Sequence, residues 1–263
     1  MILNQTLRPG LLFKLRIALV WAGLLLAFLL FVHGFNLEFS FVAARLPSLL
    51  GFKLGPDGFL QGVPLTLLIC LASMAISLAL GLISALGRMS HSALCFGLAT
   101  FYTSFFRGTP LLLQVLLIYL GLPQLGPVPD AIPSGIAALS LCYGAYLSEI
   151  FRSSILSVPK GQWEAAQAQG FGSRRILLLV IMPQAIRVAI PPVGSMFISM
   201  LKDSSLVSVM GLWEIMFLAQ SYGRAEFRYM EMLITAAVIY WVLSVVLELV
   251  QTWLESRFHE AAR

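Results

Sequence analysis

Long apolar runs constrain this chain more than any other feature of its sequence. A helix that crosses the hydrocarbon core of a bilayer needs about 20 mostly apolar residues, because no water is present there to satisfy its peptide groups. Several stretches reach or approach that length. Charged residues make up only 11% of the chain, whereas soluble domains carry roughly 25%. The sequence therefore predicts an all-α membrane protein.

Six transmembrane helices are predicted from these runs. They lie near residues 17–32, 62–86, 109–122, 135–151, 185–200 and 232–250. The third is short, and we expect the apolar run 93–106 either to extend it or to lie at the membrane interface. Residues 206–218 are too few to count as a seventh span. The first span is interpreted as a retained anchor, because no small-residue cleavage pattern follows it.

The positions of Lys and Arg predict the orientation, since cytoplasmic loops retain positive charge during insertion. With the N-terminus inside, the cytoplasmic side receives Arg8, Lys14, Arg16, Arg88, Lys160, Arg174, Arg175, Arg187, Arg257 and Arg263. The opposite side receives only Arg45, Lys53, Arg224 and Arg228. Six spans then place both termini in the cytoplasm. The predicted outer loops are 34–60, which contains Asp57, and the proline-rich segment 123–134.

Several classes of protein are disfavoured by the same sequence. The net charge of +5 does not indicate a nucleic-acid partner, because the basic residues lie between apolar spans rather than on one soluble face. No closely spaced pair occurs among Cys70, Cys95 and Cys142, so neither a disulfide framework nor a zinc site is expected. The three histidines, His33, His91 and His259, are scattered, which argues against a membrane-embedded metalloenzyme.

The longest predicted cytoplasmic connection is residues 158–183. Residues 160–169 are rich in Ala, Gln and Glu and favour a short helix, which Gly170 is expected to stop. Ser173 is expected to cap a second helix that Pro183 ends or kinks. The connection is therefore predicted to form a compact helical knob that projects from the membrane.

This connection resembles the EAA coupling loop of permeases in binding-protein-dependent ATP-binding cassette (ABC) importers, through Glu164-Ala165-Ala166, Gly170 and Pro183. Five further motifs, of which Gly161-Gln162 and Pro183-Gln184-Ala185 flank the EAA triplet, narrow the resemblance to the polar amino acid permease family, of the histidine, glutamine and arginine type. In chain order they are Phe106-Arg107-Gly108-Thr109-Pro110, Gly144-Ala145-Tyr146 with Glu149 and Arg152, Gly161-Gln162 with Pro183-Gln184-Ala185, and Lys202-Asp203-Ser204-Ser205-Leu206. Conservative departures from the family pattern occur at Ser153, Val180, Met182 and Ser204.

The resemblance covers about residues 58–255 and implies a five-helix permease core. Residues 1–57 are then an N-terminal segment with an extra transmembrane helix and an outer loop, and 256–263 form a cytoplasmic tail. The implied function is a permease subunit, not an enzyme, that imports a polar amino acid into a bacterial cell across the inner membrane. The residues implied in coupling to the ATPase are Gly161, Gln162, Glu164, Ala165, Ala166, Gly170 and Pro183.

The resemblance also implies the partners. They are a cytoplasmic ABC ATPase dimer, an extracytoplasmic amino-acid-binding protein, and a second permease that is either an identical or a related chain. The sequence contains no G-x-x-x-x-G-K-[ST] phosphate-binding loop, so ATP and Mg²⁺ are expected to be used by the partner ATPase, and no cofactor or metal by this chain.

A few charged residues lie within or against the apolar segments, where an unpaired charge is costly. The candidates for a substrate pathway are Arg107, Glu149, Lys202, Asp203, Ser204 and Ser205, and Tyr119, Tyr143 and Tyr146 are weaker candidates. Glu149 and Arg152 are one helical turn apart and are expected to pair. Two alternatives stay open elsewhere: Arg107 either anchors at the interface or lines the pathway, and Lys202 with Asp203 either meets a zwitterion or satisfies helix ends.

The sequence leaves two alternatives to an importer subunit: a secondary transporter and a membrane enzyme. A proton- or sodium-coupled secondary transporter also places polar residues in the membrane, but such folds commonly contain internal repeats, and none is evident here. A membrane enzyme would need converging acid, base or metal-binding groups, which the sequence does not show.

Overall fold

The computed structural model describes residues 11–34, 37–55 and 58–260. Arg8, Asp57 and Arg263, which entered the predictions of topology, lie outside these residues. Within them every regular element is helical: α1 (Leu11–His33), α2 (Phe39–Leu49), α3 (Val63–Arg88), α4 (Ala93–Gly108), α5 (Leu111–Leu116), α6 (Ala131–Leu156), α7 (Lys160–Ala168), α8 (Ser173–Arg175), α9 (Met182–Asp203), α10 (Ile215–Ala225) and α11 (Tyr229–Glu260). The predicted all-α class is confirmed.

The described residues contain five membrane-length apolar helices, or six if one bent pair of helices is counted as a span, against the six predicted. The helices long and apolar enough to cross a membrane are Leu12–Leu30, Val63–Arg88, Ala131–Leu156, Ser173–Met210 and Tyr229–Arg257, and a sixth candidate is the helix pair Ala93–Gly108 and Leu111–Leu125. The segment 206–218, judged too short to be a span, instead contains a 3-10 turn (Ser204–Met210) and the start of α10.

At the predicted third span, the run 93–106 and the stretch 109–122 form two helices that meet at a sharp bend, so the expected extension of the short stretch 109–122 is present but is not straight. The two helices meet at an angle of 107°. Thr109 is extended there, and Pro110 has no N–H to continue the helical hydrogen bonds. The buried side chain of Gln114 donates hydrogen bonds to the carbonyl oxygens of Phe106 (2.9 Å) and Thr109 (3.1 Å). These bonds stabilise the bend because they satisfy carbonyl groups that the break leaves open.

The chain divides into two compact units, Met1–Ala44 and Arg45–Arg263. In the first unit, the membrane-length window of α1 has none of its residues buried. Its apolar side chains are distributed on all sides of the helix, as expected for a helix that faces lipid. The domain boundaries predicted from the sequence, after residues 57 and 255, follow the extent of the family resemblance rather than compactness, and they stay predictions.

The second unit is built around the contact between α3 and α6. Small residues line this contact: Ser77 donates a hydrogen bond to the carbonyl oxygen of Ser140 (3.2 Å), and Gly81 lies against Gly144 and Leu147. Small side chains let two membrane helices approach closely, so that van der Waals contacts and interhelical hydrogen bonds hold them together. Because α3 and α6 run parallel, their C-terminal ends lie at the same end of the bundle, next to α7.

Gly81 gives a direct test of this contact. A Cβ atom at Gly81 would lie 2.7 Å from the Cβ of Leu147, closer than two carbon atoms can approach, whereas one at Gly97 in α4 would meet nothing within 4 Å. We expect Gly81→Ala to lower the stability of the detergent-solubilised protein by about 1–3 kcal/mol, a loss of several degrees in Tm. Gly97→Ala should leave Tm unchanged or raise it. Equal thermal stability of the two variants would contradict the close contact.

Ser173 does not cap the helix as expected, and Pro183 does not end it. The N-cap of α8 is Gly172, without a side-chain hydrogen bond, and Ser173 is already the first helical residue. The helix then continues through a π segment (Ile176–Ile181) and past Pro183 into α9. A π turn widens the helix immediately before the proline, which accommodates the missing N–H without ending the helix.

Candidate functional site

The helix α7 presents two faces that differ in exposure. Ala166 is 5% exposed and packs with Ile155, Val158, Ile176 and Ile181, which anchor it to the bundle. Glu164 and Ala165, which precede it, are exposed. The three residues of the predicted EAA motif therefore divide into one inward anchor and two outward side chains, as the angular spacing of about 100° per residue in a helix requires.

Two features fix the position of α7. Gly170 adopts a left-handed conformation (φ 81°), and its N–H and that of Phe171 donate to the carbonyl oxygens of Gln167 and Ala166, which closes the helix. The side chain of Gln184 donates a hydrogen bond to Oε1 of Gln162 (3.2 Å). The predicted helix over 160–169 and its stop at Gly170 are confirmed. Gly161 is exposed, and Pro183 lies in the continuous helix described above.

The charges predicted near the end of α6 form a larger cluster than expected. Oε1 of Glu149 accepts a hydrogen bond from Arg152 (2.5 Å), so this predicted pair is confirmed. Oε2 of Glu149 also contacts Arg88 of α3, and it lies 3.7 Å from Arg107 of α4. We call Arg88, Arg107, Glu149 and Arg152 the arginine cluster. It joins the ends of three helices and contains three guanidinium groups around one carboxylate.

Lys202 and Asp203 lie on different faces of α9. Asp203 is half-buried, and its Oδ2 accepts a hydrogen bond from the hydroxyl of Tyr143 (2.7 Å), which is 3% exposed. Ser204 is buried and donates to the carbonyl oxygen of Leu201, while Ser205 donates to that of Lys202. The structure therefore does not bring Lys202 and Asp203 together as one ion-binding pair.

Lys202 instead lines a polar groove between α9 and α11. The groove has a volume of about 470 Å³, and its polar residues are Ser195, Ser199, Lys202, Glu248, Gln251, Thr252 and Glu255. Gln251 of α11 bridges the two helices, because its side chain donates to the carbonyl oxygen of Pro191 in α9 (3.0 Å). It also donates to Glu255 of its own helix (2.8 Å). Both helices are candidate membrane spans, so this α9–α11 groove is a polar surface on a membrane-embedded face.

Sequence reasoning missed Arg88 as a member of the arginine cluster, and it missed Glu214, a buried carboxylate outside the sites described above. Arg88 was assigned to a cytoplasmic loop, although an arginine at the end of one span, on the same side as Glu149, is a natural partner for that carboxylate. Glu214 was not singled out at all. It is fully buried, caps the N-terminus of α10 by accepting from the N–H groups of Met216 and Phe217, and also accepts from the hydroxyl of Tyr240 (2.8 Å).

Burial gives Glu214 a testable pH dependence. Glu214 lies outside the membrane-spanning segments, and burial raises the pKa of its carboxyl group to about 7, despite three hydrogen bonds that favour the charged form. The folded protein then binds a proton more tightly than the unfolded chain does. Stability from this group is therefore complete below pH 4.5 and is lost as the pH rises to 7.

We expect the Tm of the wild-type protein to rise on lowering the pH from 7.5 to 5, relative to Glu214→Gln, which has no proton to gain at this position. The difference in unfolding free energy between the two pH values should reach at most about 3 kcal/mol. Thermal denaturation of both proteins across this range measures it. Parallel pH profiles would contradict the shifted pKa.

The described residues form an all-helical, multi-pass membrane bundle with a short helix exposed beside its spans and with charges paired inside it. The family described as the inner membrane component of binding-protein-dependent transport systems matches residues 77–260. The chain belongs to this family and is a permease subunit of an ABC importer, in which a separate subunit carries the ATPase. The resemblance found in the sequence is confirmed.

Individual relatives and solved structures agree with the family. The chain is 43% identical over 201 residues to the L-cystine transport system permease protein TcyB of Bacillus subtilis, covering 76% of this chain and 84% of TcyB. It is 38% identical to the arginine transport system permease protein ArtQ of the same organism, covering 81% and 93%. A crystal structure of an amino acid ABC transporter with histidines matches with a TM-score of 0.76 and 34% identity, covering 84% of this chain and 99% of that one.

Proposed function

We propose that this permease imports a polar amino acid across the cytoplasmic membrane of a bacterium. An extracytoplasmic binding protein delivers the solute, two ABC ATPase subunits hydrolyse Mg-ATP, and the permease itself holds no cofactor. The named relatives support an amino acid as the solute, since two of them carry cystine and arginine and the solved relative is an amino acid transporter. Because those solutes differ in charge, they support the class of solute rather than one member of it.

The observation that carries this proposal is the two-faced helix α7. Its inward anchor, Ala166, packs against residues of α6 and of the helix that continues into α9. A force applied to the outward residues Glu164 and Ala165 is therefore transmitted to two membrane spans. Gly161, Gln162, Gly170 and Pro183 complete the proposed coupling region: they shape the ends of α7 and its connection to α9. This is the arrangement expected of a helix that docks into a cleft of the ATPase.

The α9–α11 groove supports pairing with a second permease, either an identical or a related chain. Polar side chains on a membrane-embedded surface are costly in contact with lipid tails. Lys202 and Glu248 on this surface are satisfied when a second permease, together with the water of the solute pathway, covers the groove. The pathway is then enclosed between the two permeases.

Asp203 is the proposed contact for the ammonium group of the solute. Its carboxylate is held by one hydrogen bond from Tyr143, which leaves further lone pairs able to accept from a ligand. Ser204 and Ser205 shape the helix end beside it, and Arg107 and Glu149 continue the polar path toward the α7 end of the bundle. Lys202 belongs to the groove and is not a partner of Asp203 in binding one solute.

The test is ATP hydrolysis by the permease reconstituted in lipid vesicles with its candidate ATPase. Binding protein is added with and without each member of a panel of amino acids. We expect hydrolysis to be stimulated only when the binding protein and one amino acid are both present, which also identifies the solute. An ATPase that binds the permease but is stimulated by no amino acid would contradict the solute class, and an ATPase that does not bind would contradict the coupling role.

A further inference from the structure

The arginine cluster has an excess of positive charge. Three guanidinium groups, of Arg88, Arg107 and Arg152, lie within 4 Å of the single carboxylate of Glu149. The cluster therefore keeps two positive charges that no carboxylate in the described part of the chain neutralises. The side chains of the cluster are only 20–41% exposed, so water solvates this excess charge only in part, which costs free energy. An anionic ligand would lower that cost.

A cavity of about 380 Å³ adjoins the cluster. It is lined by Arg88, Thr100, Thr103, Ser104, Arg107 and Gly108. The hydroxyl of Thr100, which lines this cavity, is buried and has no hydrogen-bond partner. Hydroxyl and guanidinium groups are the donors that bind a carboxylate, and the planar guanidinium does so with two parallel hydrogen bonds. The cavity thus offers donors and positive charge for one oxyanion.

The cavity is connected to Asp203 by a series of contacts along α6. Tyr143, which binds Asp203, lies 6.2 Å from the ring of Tyr146, and the guanidinium of Arg107 lies 5.5 Å from that ring. Arg107 in turn contacts Glu149. From Tyr143 to Glu149 the helix rises about 9 Å toward the α7 end. The path therefore has a negative group, which can bind an ammonium, at one end and a positive cluster, which can bind a carboxylate, at the other, so one amino acid can contact the two ends in turn.

We propose that the cavity between Arg88 and Arg107 is a carboxylate-binding station on the solute pathway. The inference rests on the proposed function and specifies a step within it. An amino acid released by Asp203 is held next by its carboxylate, at Arg107 and Arg88 with the hydroxyls of Thr100 and Ser104, before it leaves at the α7 end. Glu149 holds the arginine side chains in place. Its negative charge also lowers the affinity of the site for a carboxylate enough for the solute to leave.

The charge of the cavity is tested with a cysteine at Ser104, in a background where the exposed Cys95 is replaced by Ser. The rates of reaction with an anionic sulfonate and a cationic trimethylammonium thiosulfonate reagent are compared in the full permease. Cys95 of the wild-type protein, on the same helix and outside the cavity, is the reference. We expect the ratio of anionic to cationic rates to be at least tenfold higher at position 104 than at Cys95.

Two arginine variants show whether this preference comes from the cluster. Arg107→Gln should remove most of the preference, whereas Arg187→Gln, which changes an exposed arginine outside the cluster, should not. Equal ratios at the two positions would overturn the proposal.

The solute is tested by protection of the same cysteine. The amino acid that stimulates ATP hydrolysis in the wild-type complex should slow the anionic reagent severalfold, and the amine that lacks its carboxylate should not. Stimulation without protection would overturn the station and leave the proposed function standing, whereas stimulation by no amino acid would overturn both. Protection by phosphatidylglycerol vesicles relative to phosphatidylcholine vesicles, with none by the amino acid, would assign the cavity to lipid phosphate and overturn the solute assignment.

Discussion

Replacing Ala165 with tryptophan is expected to weaken association with the ATPase at least tenfold while leaving the permease folded. Ala165 is exposed on α7, and its small side chain lets the helix backbone approach a partner surface. An indole at this position would fill the space that the ATPase cleft needs, while the anchor Ala166 on the inward face stays unchanged. Co-purification of the ATPase with each variant, together with the Tm of the permease alone, separates docking from folding.

Ala93→Trp is the matched control for this change. Ala93 is also an exposed alanine at the α7 end of the bundle, but it begins α4 and lies outside the coupling helix. It should bind the ATPase as the wild-type protein does. Normal binding by Ala165→Trp, or equal loss in both variants, would contradict the assignment of the outward face of α7 as the docking surface.

Replacing Asp203 with asparagine is expected to lower solute uptake by about 10–100-fold, because a hydrogen bond to a charged group contributes about 1.5–3 kcal/mol. The substitution keeps the size of the side chain and removes its charge, so the ammonium group of the solute loses its ionic partner. Assembly with the ATPase should be unaffected. Uptake by reconstituted vesicles at several solute concentrations measures the effect on apparent affinity and rate.

Asp130→Asn provides the control for a general loss of charge. Asp130 is an exposed carboxylate that precedes α6, and it lies far along that helix from the arginine cluster. Its replacement should leave uptake unchanged. If Asp203→Asn transports as well as the wild-type protein does, Asp203 has a structural role at the end of α9 and does not contact the solute.

The features of this molecule that local sequence determines were predicted well. The composition of residues 160–169 favours a helix, and Gly170 accepts a left-handed backbone at low cost, so α7 and its end could be placed from the sequence. Which of Glu164, Ala165 and Ala166 faces inward could not be predicted. It depends on Ile155, Val158 and Ile181, which meet α7 only when α6 and α9 are packed.

The features that depend on packing between distant segments were missed or wrong. Arg88 and Glu149 are 61 positions apart, and their contact follows from the parallel packing of α3 on α6, which no spacing in the sequence encodes. Pro183 was expected to end or kink a helix, because the local rule considers only the lost N–H. The π segment before it offers an alternative hydrogen-bonding pattern, which depends on the register of a helix already held at both ends.

We propose that this permease couples ATP hydrolysis in a partner to solute movement through its own membrane helices. ATP-driven accumulation of a radiolabelled amino acid tests it most directly. The wild-type permease is reconstituted with its ATPase, with ATP inside the vesicles and loaded binding protein outside. The account predicts accumulation above the outside concentration that requires ATP hydrolysis and is lost in Ala165→Trp. Accumulation driven by a proton or sodium gradient, without the ATPase, would contradict it.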